Sequence, residues 1–349
     1  TNKIIIDSNG LNYQGEADTY TVEYNTDGET VNIVYADATK GWIPLNDDDV
    51  TEAPVAPPTQ KGIFAFGFTS APVSMSNLVN SSGVIASDVT GVGSARNETA
   101  AANYGGDKAI YGYGNTGSVS SLTNLVNNSG VVAADVTGVG TARNGLAAAG
   151  YGTDKAIFAY GGSDASMSNL VSNSGVVATD TAGVGTGRRL VAGAGYGSTG
   201  QAIFGYGTYS GTGVTSLTNL VSNLGVVASD TSGVGAGRQS RGAAMYGGDK
   251  ALFGFGFAPS ANTAITNLVS NLGVVASDTA AVGGVTARDQ CKATAYGGDK
   301  AIFAYGNTSA SAPLSMSNLI SSSGVVASDV TGVGTARYEA SGAGFSFSA

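Results

Sequence analysis

Six copies of one pattern fill most of this 349-residue chain. Every copy contains an Asn-Leu step, and successive Asn residues stand 45 to 51 positions apart. An Arg ends each copy, and an aromatic residue follows that Arg eight positions later every time. The Asn residues are Asn77, Asn124, Asn169, Asn219, Asn267 and Asn318, and the arginines are Arg96, Arg143, Arg188, Arg238, Arg288 and Arg337. Repetition at this period predicts one structural unit per copy, with each unit burying its apolar surface against the next.

Each copy is predicted to form four short β-strands. The stretch after the Arg is rich in Ala and Gly, as in residues 144–151, which suits a first strand crowded near a central axis. A Gly-Gly-Asp-Lys turn such as 105–108 leads into the second strand. That strand carries aromatics two positions apart, and a period of two places both, such as Phe64 and Phe66, on one face. The third and fourth strands follow, joined by Ser-Asn-Ser-Gly-type turns such as 172–175.

Small sheets that are apolar on both faces bury themselves by stacking around an axis, which predicts an all-β, six-bladed β-propeller over residues 61–349. The first copy begins at Lys61 with its second strand and has no first strand of its own. A first-strand pattern without a partner, residues 338–347, follows the last Arg. We therefore expect the C-terminal strand to complete the first blade and to close the ring of six blades. Closure would leave no exposed strand edge at the seam between the first and last copies.

The repeats resemble the kelch-type propeller in three elements: the Arg before strand one, the hydrophobic second strand ending in Gly, and the hairpin of strands three and four. They depart from it in having no Trp, and in ending strand two with a single Gly, except at Gly161-Gly162. The near-verbatim Ser-Asn-Leu-Val-Ser and Val-Val-Ala-Ser-Asp segments are similar to the propeller-like repeats of tailed-phage virion proteins. That resemblance implies a virion structural protein, exposed on an extracellular particle.

The segment before the repeats is expected to be a separate, small β-rich attachment module over residues 1–45. Its short strands, Asn-Gly and Asp-Gly turns and final Gly41-Trp42 are similar to a module common in phage tail and fibre proteins. In that module, further strands precede the Ile-rich one, so we expect the native chain to extend upstream of Thr1. Residues 46–60 are acidic and contain Pro, and they are interpreted as a stiffened, solvated linker.

Composition argues against several classes of function. The chain has no His and only one Cys, so Ser-His-Asp or Cys-His catalysis, His-ligated metals and an internal disulfide are excluded. Residues 1–60 hold 11 acidic and 2 basic side chains, and the repeats hold 14 of each sign. Neither part has the excess of Lys and Arg that binding to nucleic acid requires. No apolar run approaches the roughly 20 residues of a membrane span. We expect no enzyme, no cofactor, no metal and no membrane insertion.

Several recurring residues have both a structural and a functional interpretation. An Asp precedes each Arg, and six carboxylates could line a pore and bind a cation, but a turn or a repeated Asp–Arg pair between blades is the favoured interpretation. The arginines could bind anions, but hydrogen bonds to backbone carbonyls between blades are favoured. Cys291 is interpreted as a small buried apolar residue, and Trp42 as the anchor of the module's core. The six Asp residues are Asp88, Asp135, Asp180, Asp230, Asp278 and Asp329.

The connection from strand two to strand three differs in length and content in every copy. These six loops should share one face of the propeller, and variable loops on a rigid scaffold are where recognition is usually built. Phe68, Tyr209 and Phe257 place aromatics there, and such rings could stack on sugars or anchor a protein partner. The alternative is that they only cap the circle of blades, because single exposed apolar residues are common.

The sequence thus predicts a non-enzymatic phage virion protein, a fibre, tail or neck appendage. The N-terminal module would bind other virion proteins, while the propeller's loop face would bind a host-surface glycan or protein. Homo-oligomerisation is also expected, since the fibre proteins that the module resembles are often trimers. Two alternatives remain open at this stage: a purely architectural capsid or tail decoration protein, and a secreted bacterial lectin-like propeller.

Overall fold

A computed structural model describes residues 3–18, 21–24, 30–45, 60–211, 213–239, 242–308 and 312–346. These residues form β-strands, isolated bridges and turns, with no helix among them, so the protein is all-β. The chain divides into two compact units at residue 57. The predicted linker lies outside the described residues, apart from Gln60.

The described residues of the first unit form two small antiparallel sheets. Its strands are β1 (Ile4–Ile6), β2 (Val22–Tyr24), β3 (Ile33–Asp37) and β4 (Gly41–Pro44), with β1 paired to β2 and β3 paired to β4. Tyr13, Val22 and Tyr24 form its buried core, and Trp42 packs against them as predicted, while also lying edge-on to Tyr35 at 5.6 Å. The Asp-Gly turn expected at 27–28 lies outside the described residues.

The described residues of the second unit form six three-stranded antiparallel sheets, which we number one to six. Sheet one is β24 (Ser341–Phe345), β5 (Lys61–Ala65) and β6 (Ser76–Val79); sheet two is β7 (Ala100–Tyr104), β8 (Lys108–Gly112) and β9 (Thr123–Val126); sheet three is β10 (Ala147–Tyr151), β11 (Lys155–Ala159) and β12 (Ser168–Val171). Sheet four is β13 (Ala192–Tyr196), β14 (Gln201–Gly205) and β17 (Thr218–Val221), with a small hairpin of β15 (Thr208–Tyr209) and β16 (Gly213–Val214) between β14 and β17; sheet five is β18 (Gly242–Tyr246), β19 (Lys250–Phe257) and β20 (Asn262–Val269); sheet six is β21 (Lys292–Tyr296), β22 (Lys300–Ala304) and β23 (Ser317–Ile320).

The first strand of every sheet contacts the first strands of the two adjacent sheets. The contacts run from β7 to β10, β13, β18, β21 and β24, and then back from β24 to β7. Ala and Gly make this approach possible, because a Cβ at Gly195 would lie only 3.1 Å from the carbonyl oxygen of Gly150, and one at Gly150 would lie 2.5 Å from Oδ1 of Asn103. The small side chains predicted near an axis therefore lie where neighbouring strands come closest.

The C-terminal strand completes the first sheet, as predicted. β24 pairs antiparallel with β5 along its whole length, from Ser341 opposite Ala65 to Phe345 opposite Lys61. Phe345 is fully buried in the cluster that contains Ile63 and Tyr111. The end of the chain is thus built into the same sheet as the first strand of the repeats.

The fourth strand of each copy is less regular than predicted. In sheet three it is attached to β12 by two isolated bridges, Val171 to Val177 and Ser168 to Thr181. Between those bridges the outer segment has one residue more than β12, and the Asn169 side chain donates to the carbonyl oxygen of Ala178 at 3.0 Å. This side-chain bond takes the place of a backbone bond, so the segment bulges and forms no continuous strand.

The predicted alternation of the second strand is wrong at its second aromatic. In sheet one, β5 ends at Ala65, and Phe66 has a left-handed backbone with φ of 62°. Phe64 consequently packs against Tyr305 of sheet six, whereas Phe66 packs against Tyr111 of sheet two. The left-handed residue reverses the alternation, so the two aromatics cover opposite faces of the sheet. The same φ region recurs at Tyr113, Tyr160, Tyr206, Phe255 and Tyr305.

Removal of residues 338–349 should destabilise the whole second unit, because β5 then loses its partner and Phe345 leaves its cluster. Burial of one Phe is worth about 1.5–3 kcal/mol, and with the strand pairing we expect the melting temperature to fall by about 10 °C or more. Differential scanning calorimetry measures this fall. Removal of residues 347–349 alone, which leaves β24 complete, is the control, and an equal melting temperature for both truncations would contradict the closure.

Candidate functional site

Each repeat's terminal Arg is buried between two adjacent sheets. The Arg188 guanidinium lies over the Tyr160 ring of sheet three, with its central carbon 4.4 Å from the ring centroid. From this position Nε donates to the carbonyl oxygen of Tyr206 at 2.9 Å, and Nη2 donates to Oδ1 of Asn219 at 2.7 Å, both in sheet four. A planar guanidinium suits this combination of stacking and directed hydrogen bonds. Arg188 therefore joins sheet three to sheet four.

The same arrangement recurs around the second unit. All six guanidinium carbons lie 4.0–4.7 Å from a ring centroid in their own copy. The ring is that of the aromatic residue with left-handed backbone, Phe66 or its equivalent, which we call the left-handed aromatic. The last of them, Arg337, stacks on Tyr305 of sheet six and donates to the carbonyl oxygen of Phe66 and to Asn77 in sheet one, at 3.0 and 2.6 Å. The predicted hydrogen bonds from these arginines to backbone carbonyls are confirmed at five of the six sites.

The recurring Asp belongs to the same junctions. Asp180 of sheet three accepts hydrogen bonds from the Thr141 hydroxyl at 2.6 Å, the Thr141 amide at 3.0 Å and the Asn169 amide at 2.9 Å. Arg143 Nη1 lies 3.9 Å away. Burial raises the pKa of Asp180, but these hydrogen bonds and the charge of Arg143 outweigh burial and hold that pKa below its ordinary value. The carboxylate thus ties two copies together, in agreement with the predicted Asp–Arg pair.

The described part of the chain contains no group of three or more His, Cys, Asp or Glu side chains able to hold a metal ion. It also contains no helix suited to spanning a membrane. Cys291 is buried, as predicted, and burial raises the pKa of its thiol to about 11.

The three predicted recognition aromatics are half-buried and lie on three different sheets. Phe68 of sheet one packs against Tyr338, with ring centroids 5.5 Å apart. Tyr209 lies in the β15–β16 hairpin of sheet four, and Phe257 is the last residue of β19 in sheet five, opposite Asn262. Their bridging partners belong to their own sheets, so they are separate positions and do not form one aromatic cluster.

Sequence reasoning missed a polar cleft on the same loops. Asp164, in the strand-two to strand-three connection of sheet three, accepts from Arg189 at 2.7 Å and from the Ser210 hydroxyl at 2.6 Å, both in sheet four. Glu98, Asn144 and Gly162 line the adjoining cavity of 460 Å³. Two features of the sequence marked this place: the Gly161-Gly162 doublet and the second arginine at 188–189.

In comparisons with known proteins, no protein-family model matches the chain, and no curated protein matches it.

Replacement of Arg188 by Met should cost about 3–5 kcal/mol of unfolding free energy, because Tyr206 O and Asn219 Oδ1 lose their buried, charged donor. The neighbouring residue supplies the control. The Arg189 side chain is 41% exposed in its pair with Asp164, and Arg189→Met should cost less than about 1 kcal/mol. Denaturant unfolding followed by fluorescence measures both, and similar losses would contradict the structural role of Arg188.

Stability should fall in acid. An Asp with a folded-state pKa below its unfolded value of about 3.9 stabilises the fold above that value, and this stabilisation is lost as the pH falls through the folded pKa. The pKa is lowered in this way at Asp88, Asp135, Asp180, Asp230 and Asp329. We expect the melting temperature to drop below about pH 4, and to drop less in Asp180→Asn, which is already less stable at pH 7. Identical pH profiles for the two proteins would contradict this account.

Proposed function

We propose that the six sheets form a six-bladed, kelch-like β-propeller, and that this propeller is the recognition part of a non-enzymatic virion protein. The circular sequence of contacts between the first strands supports the propeller. The aromatic pairs support it too, since each left-handed aromatic packs on the first aromatic of the next copy, including Tyr305 on Phe64.

Hydrogen bonds between the turns support the same arrangement. The turn between the first two strands of each sheet donates to its neighbour: Gly105 N to Asp154 O, and Gly152 N to Gly200 O, both at 2.7 Å. The series continues from Gly197 to Asp249, from Gly247 to Asp299 and from Gly297 to Gln60, and it ends with Ser346 N donating to Asp107 O at 2.7 Å. Six bonds of one kind therefore run through six sheets and return to the start.

The observation that carries the recognition function is where the copies differ. The Asn, Arg and Asp residues of the junctions keep the same partners in nearly every copy. The strand-two to strand-three loops, in contrast, change in length, charge and aromatic content. A constant scaffold with one variable loop face is how binding surfaces are usually presented. Phe68, Tyr209 and Phe257 supply half-exposed rings there, and Arg189 with Asp164 supplies charge, so a host-surface glycan or protein is the proposed ligand.

We propose that the first unit attaches the protein to other virion proteins and takes part in homo-oligomerisation. Its resemblance to phage tail and fibre modules supports this, and so does its thin core. A unit with three buried apolar side chains among its described residues is small for independent stability, and such units are commonly stabilised by association.

A second candidate function, an architectural decoration protein, is favoured by one observation. In every copy, the Val that follows the turn Gly between the third strand and the irregular fourth strand is 55–65% exposed. These residues are Val84, Val131, Val176, Val226, Val274 and Val325. A repeated apolar position on the outer segments would suit packing against neighbouring subunits.

A glycan array probed with the full chain distinguishes the two functions. We expect binding to a subset of glycans, and at least a tenfold loss in the triple variant Phe68→Ala, Tyr209→Ala, Phe257→Ala, since truncation of a central aromatic contact costs over 1 kcal/mol. The matched control is Val176→Ala, Val226→Ala, Val274→Ala, which removes apolar atoms from the outer segments and should bind normally. Unchanged binding by the aromatic triple variant would contradict recognition by these rings.

A further inference from the structure

The first strands enclose a cavity at the end of the second unit that carries the turns between strands one and two. Its volume is 310 Å³, within the range of roughly 300–1,000 Å³ of small-molecule sites. All six sheets contribute to its wall, through Gln60, Asn103, Gly150, Gly195, Met245 and Ala295. We call it the turn-end cavity. It lies away from the variable loops, which connect the opposite ends of the strands.

The wall of the turn-end cavity is uncharged, because the described residues that line it include no ionisable acid or base apart from tyrosine hydroxyls. Side-chain amides come from Gln60, Asn103 and Gln201, and hydroxyls come from Thr153 and Ser198. Ala295 and the Met245 thioether add apolar surface. Amides and hydroxyls set in a mainly apolar wall match a ligand that has hydroxyl groups and an apolar C–H face.

Beyond this cavity the space between the first strands becomes narrow. The next layer is lined mainly by Ala and Gly, including Ala101, Gly193, Ala243 and Gly342, and the remaining spaces measure only 50 and 30 Å³. A ligand of the size of a sugar would therefore enter from the turn end and stop at this layer. The turn-end cavity is accordingly a pocket with one entrance and does not continue as a wide channel.

The repeat pattern breaks at the wall of the turn-end cavity. Four of the turns end in Asp-Lys, at 107–108, 154–155, 249–250 and 299–300, and each Lys pairs with its own Asp. The turn of sheet four is one residue longer and ends in Gly200-Gln201, which removes the ion pair and brings Ser198 and Gln201 to the wall. Departures from a repeat at one cavity are expected where a site has been built.

Gln201 also has an unsatisfied atom. Its Oε1 is buried and accepts no hydrogen bond within the described part of the chain. A buried acceptor without a donor is costly, and a donor brought by a bound molecule would remove that cost. Oε1 lies against Gly197 and has no accessible surface, so a ligand hydroxyl can donate to it only after the amide rotates toward the cavity.

We infer that the turn-end cavity binds a neutral saccharide of one or two sugar rings. The inference rests on the uncharged wall, the layer of Ala and Gly beneath it, the altered turn of sheet four and the Gln201 Oε1 that lacks a donor. Asn103 and Gln201 hydrogen-bond its hydroxyls, and Met245 with Ala295 contacts its C–H face. This site is separate from the proposed recognition loops and does not depend on them.

The test is a titration of the full chain with neutral mono- and disaccharides, followed by calorimetry and by saturation-transfer NMR. Uronic acids and amino sugars serve as charged counterparts. We expect saturable binding of at least one neutral sugar and weaker binding of its charged counterparts. Asn103→Ala should weaken binding by about fivefold, the equivalent of one hydrogen bond of about 1 kcal/mol.

Two further variants keep the fold and remove the site. Gln201→Lys introduces the residue that the other turns already carry, and Ala295→Met introduces the residue found at the equivalent position, Met245. Both should fold with a nearly unchanged melting temperature, and both should abolish binding, the first by removing the Gln201 amide from the wall and the second by filling the space. Lys155→Gln, on a neighbouring turn outside the cavity wall, is the matched control and should bind normally.

Three results would overturn the inference. One is the absence of any neutral sugar with a dissociation constant below about 10 mM. Another is unchanged binding in both Gln201→Lys and Ala295→Met. The third is loss of sugar binding in the Phe68, Tyr209 and Phe257 triple variant but not in the cavity variants, which would place the sugar on the loops and leave the proposed recognition function intact.

Discussion

The buried arginine at each junction is the interaction on which the second unit depends. A guanidinium taken out of water must find compensation for its charge, and here it finds an aromatic face in one sheet and two oxygen acceptors in the next. Neither sheet alone supplies a complete environment. Stability is consequently a property of pairs of adjacent sheets, and the pairing of Arg337 with Phe66 and Asn77 extends this dependence from the last copy to the first.

The left-handed aromatic makes the arginine site possible. Because Phe66 and its equivalents have positive φ, each copy directs one aromatic towards the preceding sheet and one towards the following sheet. The resulting tilted or edge-on pairs have centroids 4.7–5.5 Å apart, a favourable geometry for aromatic rings. The carbonyl oxygen of the same residue then accepts from the arginine of the previous copy in five of the six sheets. One unusual backbone angle therefore serves both packing and charge compensation.

Much of this fold could be predicted from the sequence, because sixfold repetition and the missing first strand at Lys61 constrain the strand pairing strongly. The reversal at Phe66 could not, since bulky aromatics rarely adopt positive φ and nothing in the local sequence marks it. The irregular fourth strand depends on a side-chain bond from Asn169 that no period reveals. For the recognition site, the sequence identified the loop aromatics Phe68, Tyr209 and Phe257, but it did not show that they lie on three different sheets. The altered turn at Gln201 can also be seen in the sequence, but only the structure shows that this turn lines a cavity.

The pairing of β24 with β5 also has a consequence for biosynthesis. About 280 residues separate the two strands, so β5 emerges from the ribosome long before its partner has been made. At about 5–20 residues per second, the first sheet waits roughly 15–60 s with an open edge. During this interval the nascent chain presents an unpaired strand to other chains, so the speed of translation sets how long that edge stays open.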